Sequence, residues 1–336
     1  MNESKQHISL FLPAFFQLPA ELRATLLADG LPLLLGRGQR LASVNGGDWH
    51  EALWRLQGMG EALGEDVPVA ALRMLGAGQP LESGVYACVD PVNVSPNRDH
   101  LLLLGNDMLA ISLAEAQAWA AELNRFFADD QLQLTVLQNK QWVWHSPTLP
   151  ALQCCPLREA TGRNVRQCLP QGEQVPAWTR LLTEAQMLLH SSAGNVQRRA
   201  RGLMEVNSLW LWGMGRLPAA RAGKFARLYG DDVFVAGLAQ LTGASYASLP
   251  DGPEAVLRDV TADSALLVWD IDAQQDVAAQ LIHWQQQWLL PLMAELKAGR
   301  LARLTVELGG GVALTATGKD LKRFWRRRRR LDTLES

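Results

Sequence analysis

Five residues within one stretch have types and spacing suited to holding an anion: Asn195, Arg198, Asn207, Gly213 and Gly215. A guanidinium fork pairs bidentately with a carboxylate or phosphate, and an asparagine amide fixes orientation without adding charge. Gly213-Met214-Gly215 closes a tryptophan- and leucine-rich run, and glycines at the end of a buried strand let the backbone turn or approach a ligand. A structural reading of the same residues stays open. In it Arg198 pairs with Glu184 or Glu205, Asn207 satisfies buried backbone, and the glycines form a plain turn.

Other groups with chemical potential are sparse. Asp270, Asp272 and Asp276 cluster near the end of an expected strand, a usual address for function in α/β sheets, with His283 a few residues on. The preferred reading of the three carboxylates is a loop and helix N-terminus carrying favourable negative charge, and of His283 a surface or packing histidine. His50, His100, His145 and His190 have no ligand spacing, and no His-Glu-x-x-His, P-loop or Gly-x-Ser-x-Gly pattern occurs. Cys88, Cys154, Cys155 and Cys168 include no Cys-x-x-Cys pair and read as free thiols in a reducing cytoplasm. The expectation is therefore no catalytic residue, no metal and no cofactor. Residues 319–330 carry five consecutive arginines, Arg326 to Arg330, behind Phe324 and Trp325. Such a run can touch nucleic acid or an anionic membrane. With a net charge of -2 over the chain, a solvated basic helix end or a docking tail is the preferred reading.

The elements that must position these residues alternate. Residues 8–16 read as a buried first strand, 18–29 as a helix, 31–41 as a connection and 49–63 as a helix behind the Asn45-Gly46-Gly47-Asp48 turn. Residues 85–94 and 100–104 read as a hairpin. Ser112 and Glu115 form a capping box for a helix over 113–127, and strands follow at 132–137 and 141–145. Residues 181–190 read as a helix, 207–212 as a strand, 219–229 as a basic helix, and 231–241 as a strand-like start running into a helix. A strand at 265–269, a long helix at 276–296 interrupted by Pro291, and strands at 301–308 and 312–317 complete the pattern. Strands alternating with helices predict a largely parallel sheet with helices on both faces.

The spacing Asn195-x-x-Arg198-x-x-x-Gly202-x-x-x-x-Asn207, followed by Leu209-Trp210-Leu211-Trp212-Gly213-Met214-Gly215, resembles the matching segment of the archaeal-type cofactor-independent phosphoglycerate mutases, members of the alkaline phosphatase superfamily. The chain is also similar to a bacterial family of RpfE-type regulatory proteins. That likeness takes in the stretch from Pro91 to Leu104, Trp288-Leu289-Leu290-Pro291-Leu292 and Arg323-Phe324-Trp325-Arg326. The resemblance implies an alkaline-phosphatase-like α/β core, 1–84 with 175–336, interrupted by a smaller α+β domain at 85–174. It also marks what is missing. Two divalent ions about 4 Å apart clamp a phosphoryl group in such enzymes. Their ligands stand just after the first strand and after a late one, where the mutases carry Asp-Gly and Gly-Asp-His. Here no acidic residue lies between Glu3 and Glu21, and the late strand ends in Gly309-Gly310.

A chain of 336 residues, 48% of them hydrophobic, can bury the cores of two domains and is not disordered. Twelve tryptophans against three tyrosines mark those cores. The N-terminal apolar run lacks a preceding basic region and is broken by Pro13, so it reads as a core strand, and no membrane span is expected. The expected function is a non-catalytic regulatory or binding protein, cytoplasmic, derived from a phosphoglycerate-mutase-like enzyme that lost its metal site. The alternative is a phosphoglycerate mutase, or another phosphotransfer or phosphohydrolase enzyme, with a rearranged site. The partners expected are a small anionic ligand and a protein; nucleic acid is not among them.

Overall fold

The computed structural model describes residues 6–329, apart from 14, 16–17, 24–25, 27–28, 45–47, 61–65, 98–99, 149–150, 172–173, 260–263 and 272–274. The chain divides into two compact units, Met1–Gly60 with Ala220–Ser336, and Glu61–Ala219. The sequence placed the limits at 84/85 and 174/175; the units part at 60/61 and 219/220, so the Asn195–Gly215 stretch falls in the second unit. Strands β1 (His7–Phe11) and β2 (Gln39–Ala42) come first. The second unit holds β3 (Val85–Asn97), β4 (His100–Leu104), β5 (Gln133–Gln138), β6 (Gln141–Ser146) and β7 (Ser208–Gly215). Then follow β8 (Arg227–Tyr229), β9 (Ser245–Ala247), β10 (Ser264–Val268), β11 (Arg303–Glu307) and β12 (Val312–Ala316).

The first unit is built on a seven-stranded sheet of order β2-β12-β11-β1-β10-β8-β9. Its β11, β1, β10, β8 and β9 run parallel, while β12 and β2 close one edge antiparallel. Phe11 stands in register with Val268 and Glu307, so β1, β10 and β11 end side by side. Ile8, Leu10, Ala265, Leu267, Leu304 and Val306 share one buried face. Alternate residues of a strand point to the same side, and this side packs on Leu31, Leu34, Trp284, Trp288 and Leu292 of the covering helices. The long helix is interrupted as its proline predicts. Val277–Trp284 opens into a wide π turn at Gln285–Leu289 before Leu290–Ala298 resumes. Pro291 donates no N–H and crowds the carbonyl one turn earlier, and the wider turn relieves both.

Three local expectations are corrected. Residues 31–41 are not a connection but a helix, Leu31–Arg37, followed by β2. Pro32 fits the first turn, where its missing N–H is not needed, and Leu31, Leu33 and Leu34 anchor the helix in the core. The basic helix expected at 219–229 is absent. Its backbone is taken by buried Gln57, whose amide accepts from Phe225 N at 3.0 Å and donates to Phe225 O at 3.0 Å, leaving only β8 at the end of the segment. The strand-like Val233-Phe234-Val235 is the first turn of a helix, Val233–Thr242. Asp232 caps it by accepting from Phe234 N at 2.7 Å, and packing overrides β-branched preference.

In the second unit β3 is the hub of an antiparallel sheet ordered β4-β3-β6-β5, with β7 also paired to β3. The Ser112–Glu115 capping box is formed on the helix Leu113–Phe126. That helix and Val175–Ser191 supply Trp119 and Trp178 to a cluster with Trp142 and Trp144 of β6. Ten of the chain's twelve tryptophans are buried, so they build cores rather than line a cleft. Among the described residues no helix is long and apolar enough to cross a membrane.

Candidate functional site

The structure brings Asn195, Arg198 and Asn207 together in the second unit, but turns them inward. Asn195 sits in the short helix Ala193–Ala200. Its amide donates to Leu189 O at 2.7 Å and Val206 O at 2.8 Å, and accepts from Val206 N at 3.0 Å. Asn207 does the same for β3, accepting from Val94 N at 2.8 Å and donating to Val94 O at 2.9 Å. Each asparagine thus replaces a strand partner that the irregular backbone lacks. Arg198 is 1% exposed. Its Nε donates to Met204 O at 2.7 Å, one terminal nitrogen donates to Glu115 at 2.9 Å, and the other to Leu109 O. Of its expected partners, Glu184 pairs with Arg180 and Glu205 with Arg199. All three nitrogens of Arg198 are engaged by the protein itself.

Gly213 and Gly215 lie at the end of β7, under the helix Val69–Gly76. Gly213 has φ +56°, and a Cβ there would stand 2.7 Å from Val69 Cβ; one on Gly215 would stand 2.9 Å from Pro68 Cβ. The two glycines admit a helix rather than a ligand. Asn195, Arg198 and Asn207 are thus bonded within the fold, and Gly213 and Gly215 make room for Val69 and Pro68, so side chains and missing side chains alike serve as a packing joint.

The end of the parallel sheet in the first unit is the other place where α/β chemistry belongs. Leu12 N donates to Glu307 O and Trp269 N to Phe11 O, both at 2.9 Å, so the three exits from β1, β10 and β11 run alongside one another. The β1 exit offers Leu12 and Pro13. The β11 exit offers Leu308 and Gly309, a Cβ on which would come within 3.1 Å of Pro13 O. Asp270 follows β10; Asp272 lies outside the described residues. Asp276 caps the next helix, accepting from Ala279 N at 3.0 Å, and His283 is an exposed residue whose ring lies 6.0 Å from Trp269. Among the described residues no three His, Cys, Asp or Glu side chains are grouped to hold a metal ion.

Two polar pairs near this edge escaped the sequence reading. The buried carboxylate of Asp48 caps the helix Trp49–Leu56 and is bonded to Nδ1 of buried His50. The His50 ring lies 3.9 Å from that of Trp49 and 4.8 Å from that of Phe234, in the first turn after β8. Burial pushes the Asp48 carboxyl up, but the His50 charge and the hydrogen bonds from His50 and Trp49 outweigh it and hold the group below its usual range. At the end of β11, buried Glu307 accepts from the Ser43 hydroxyl. Burial raises its pKa, offset only in part by Ser43 and by the charge of Lys224. An aspartate holding one imidazole nitrogen fixes the tautomer and orientation of the ring, in hydrolytic sites and in buried structural pairs alike. A buried carboxyl of raised pKa can donate a proton. The signal for the first pair was the Asp-x-His spacing at a helix start; nothing in sequence joined Ser43 to Glu307, 264 residues apart.

No family model matches the chain. Over 146 residues, 42% of the chain, it is 27% identical to the probable 2,3-bisphosphoglycerate-independent phosphoglycerate mutase of Geobacter sulfurreducens, 35% of which is covered. Over 78 residues, 23% of the chain, it is 31% identical to the 2,3-bisphosphoglycerate-independent phosphoglycerate mutase of Methanosarcina mazei, 19% of which is covered. The similarity thus spans about a third or less of these relatives. In fold, the chain superposes over its full length on 93% of the PH0037 protein of Pyrococcus horikoshii, with TM-score 0.61 and 12% identity. Over 98% of its length it superposes on 94% of the cofactor-independent phosphoglycerate mutase of Thermoplasma acidophilum, with TM-score 0.50 and 15% identity. The chain is a distant homologue of the cofactor-independent phosphoglycerate mutases and shares their α/β fold.

Proposed function

We propose that this protein is a non-catalytic regulatory or binding protein on a phosphoglycerate-mutase-like fold, of the kind the RpfE-type resemblance implies. The observation that carries the reading is the pair of neighbouring exits from β1 and β11. These are the positions at which a two-metal phosphoryl site needs carboxylates and histidines, and the side chains there are those of Leu12, Pro13, Leu308 and two glycines. Such groups cannot ligate a divalent ion. The inward use of Arg198, Asn195 and Asn207 supports the same reading, because residues suited to gripping phosphate are spent on backbone. Elemental analysis of the purified full chain tests it. The expected result is no stoichiometric zinc, manganese or iron; one or two ions held per chain through dialysis would overturn the reading.

A second reading, an enzyme with a rebuilt site, is favoured by one observation, the Asp48–His50 pair at the sheet edge. It predicts a turnover of phosphate esters that is lost in Asp48→Asn and needs no metal.

A further inference from the structure

The carboxy-terminal basic run is anchored, not a solvated helix end. The helix Gly318–Leu321 stops before it, and the helix Leu31–Arg37 holds the segment that follows at three points. Arg37 donates from its guanidinium to Leu321 O at 2.7 Å and from Nε to Arg326 O at 3.3 Å. Arg329 N donates to Pro32 O at 3.0 Å. Between these bonds the chain passes so close to Gly36 that a Cβ there would lie 2.1 Å from Arg327 O. A glycine inside a helix costs about 1 kcal/mol against alanine, and this one makes room for the tail.

With the backbone fixed, the side chains of 324–329 all face solvent. Phe324 is 80% and Trp325 67% exposed, their rings edge to face at 5.3 Å. Five consecutive arginines follow, Arg326 to Arg329 of them among the described residues. Asp320 pairs with Arg323, and among the described residues no carboxylate is paired with Arg327, Arg328 or Arg329. Arg328 also lines a groove of about 430 Å³ with Arg37 and Lys297, one carboxylate, Asp29, and apolar Leu33 and Met293. Exposed aromatic faces beside exposed guanidinium groups on an anchored backbone match a partner that offers planar bases and phosphates together.

We infer that the segment 322–329 and the adjoining groove form a binding surface for single-stranded nucleic acid. A duplex presents the phosphates but keeps its bases stacked, leaving Phe324 and Trp325 nothing to stack on. An anionic lipid surface is the weaker match, because interfacial anchors bury the apolar face of an amphipathic helix. The helix here has four residues, and its Leu321 is already buried in the core. The inference is independent of whether the sheet edge of this unit is catalytic.

The test is fluorescence anisotropy of a fluorescein-labelled 12-nucleotide oligouridine titrated with the full chain. Four phosphate contacts at a slope of about -0.7 each give a salt slope near -3, so affinity should fall roughly fiftyfold between 50 and 200 mM salt. Trp325→Ala should weaken binding about tenfold with the slope kept, and Arg327→Gln with Arg328→Gln should lower the slope by about 1.4. These side chains are exposed, and thermal melts of each variant establish that it is folded. No binding at 50 mM salt would overturn the proposal. So would equal affinity for a duplex of the same length, no effect of Trp325→Ala, or co-sedimentation with vesicles of 30% phosphatidylserine without oligonucleotide binding.

Discussion

Arg198 and Glu115 are joined by a 2.9 Å ion pair across 83 residues of chain, with the arginine buried and the glutamate also closing the capping box at Ser112. One carboxylate therefore serves a helix start and a buried cation at once. Burial pushes Glu115 up, but the Ser112 bonds and Arg198 outweigh it and hold it below its usual range. Arg198→Ala strands Glu115 and two carbonyls, so it should cost about 3–5 kcal/mol in urea unfolding. Phosphate or 3-phosphoglycerate at millimolar concentration should not change the wild-type midpoint. An unchanged stability in Arg198→Ala, with ligand stabilisation of the wild type that the variant loses, would return the arginine to an anion site.

Gly213→Ala should destabilise by about 2–4 kcal/mol, from positive φ and from the clash with Val69. Adding Val69→Gly, which removes the clashing Cβ, should recover part of the packing cost and none of the backbone cost. A neutral Gly213→Ala would mean that the joint between β7 and the helix Val69–Gly76 is loose.

How much of this was legible in sequence depended on how local the cause was. The Ser112–Glu115 box, the strands around Pro91 and the interruption at Pro291 follow from spacing and backbone chemistry within a few residues, and the structure has them. The helix Leu31–Arg37 was missed because Gly36 and Gly38 read as a turn. The reason for Gly36, the backbone of Arg327, lies 291 positions away. The basic helix at 219–229 failed for a similar reason, since Gln57 claims its backbone from a distant element. Arg198 pairs with Glu115, 83 positions away, and nothing in the sequence favours that carboxylate over Glu184 or Glu205.

His7 makes one acid-side prediction. Burial, with the charges of Arg303 and Lys224, lowers its pKa from 6.5 to about 4. The unfolded chain then binds the proton more readily than the folded one. The contribution is intact above pH 6.5 and drains as pH falls toward 4, trimmed by the ring's partial exposure. His7→Gln, which can still bond to Thr305, should flatten the melting temperature over that window. Parallel curves for wild type and variant would remove His7 from the acid response.

Glu307 predicts the opposite trend. Its folded pKa is raised above 4.5 by burial, so the folded state binds the proton more tightly and loses stability as pH rises through the folded value. Glu307→Gln can keep the Ser43 contact and should be close to wild type at pH 4 and more stable than wild type at pH 8. A variant less stable at pH 8 would mean that the ionised carboxylate is well solvated or needed for function.

The reading of the sheet edge as a spent phosphoryl site is tested most directly by an enolase-coupled mutase assay on the full chain, with 3-phosphoglycerate and added manganese. No turnover above the protein-free blank is expected, in wild type and in Asp48→Asn alike. Saturable wild-type turnover that disappears in Asp48→Asn would contradict it and make Asp48–His50 the centre of a rebuilt active site.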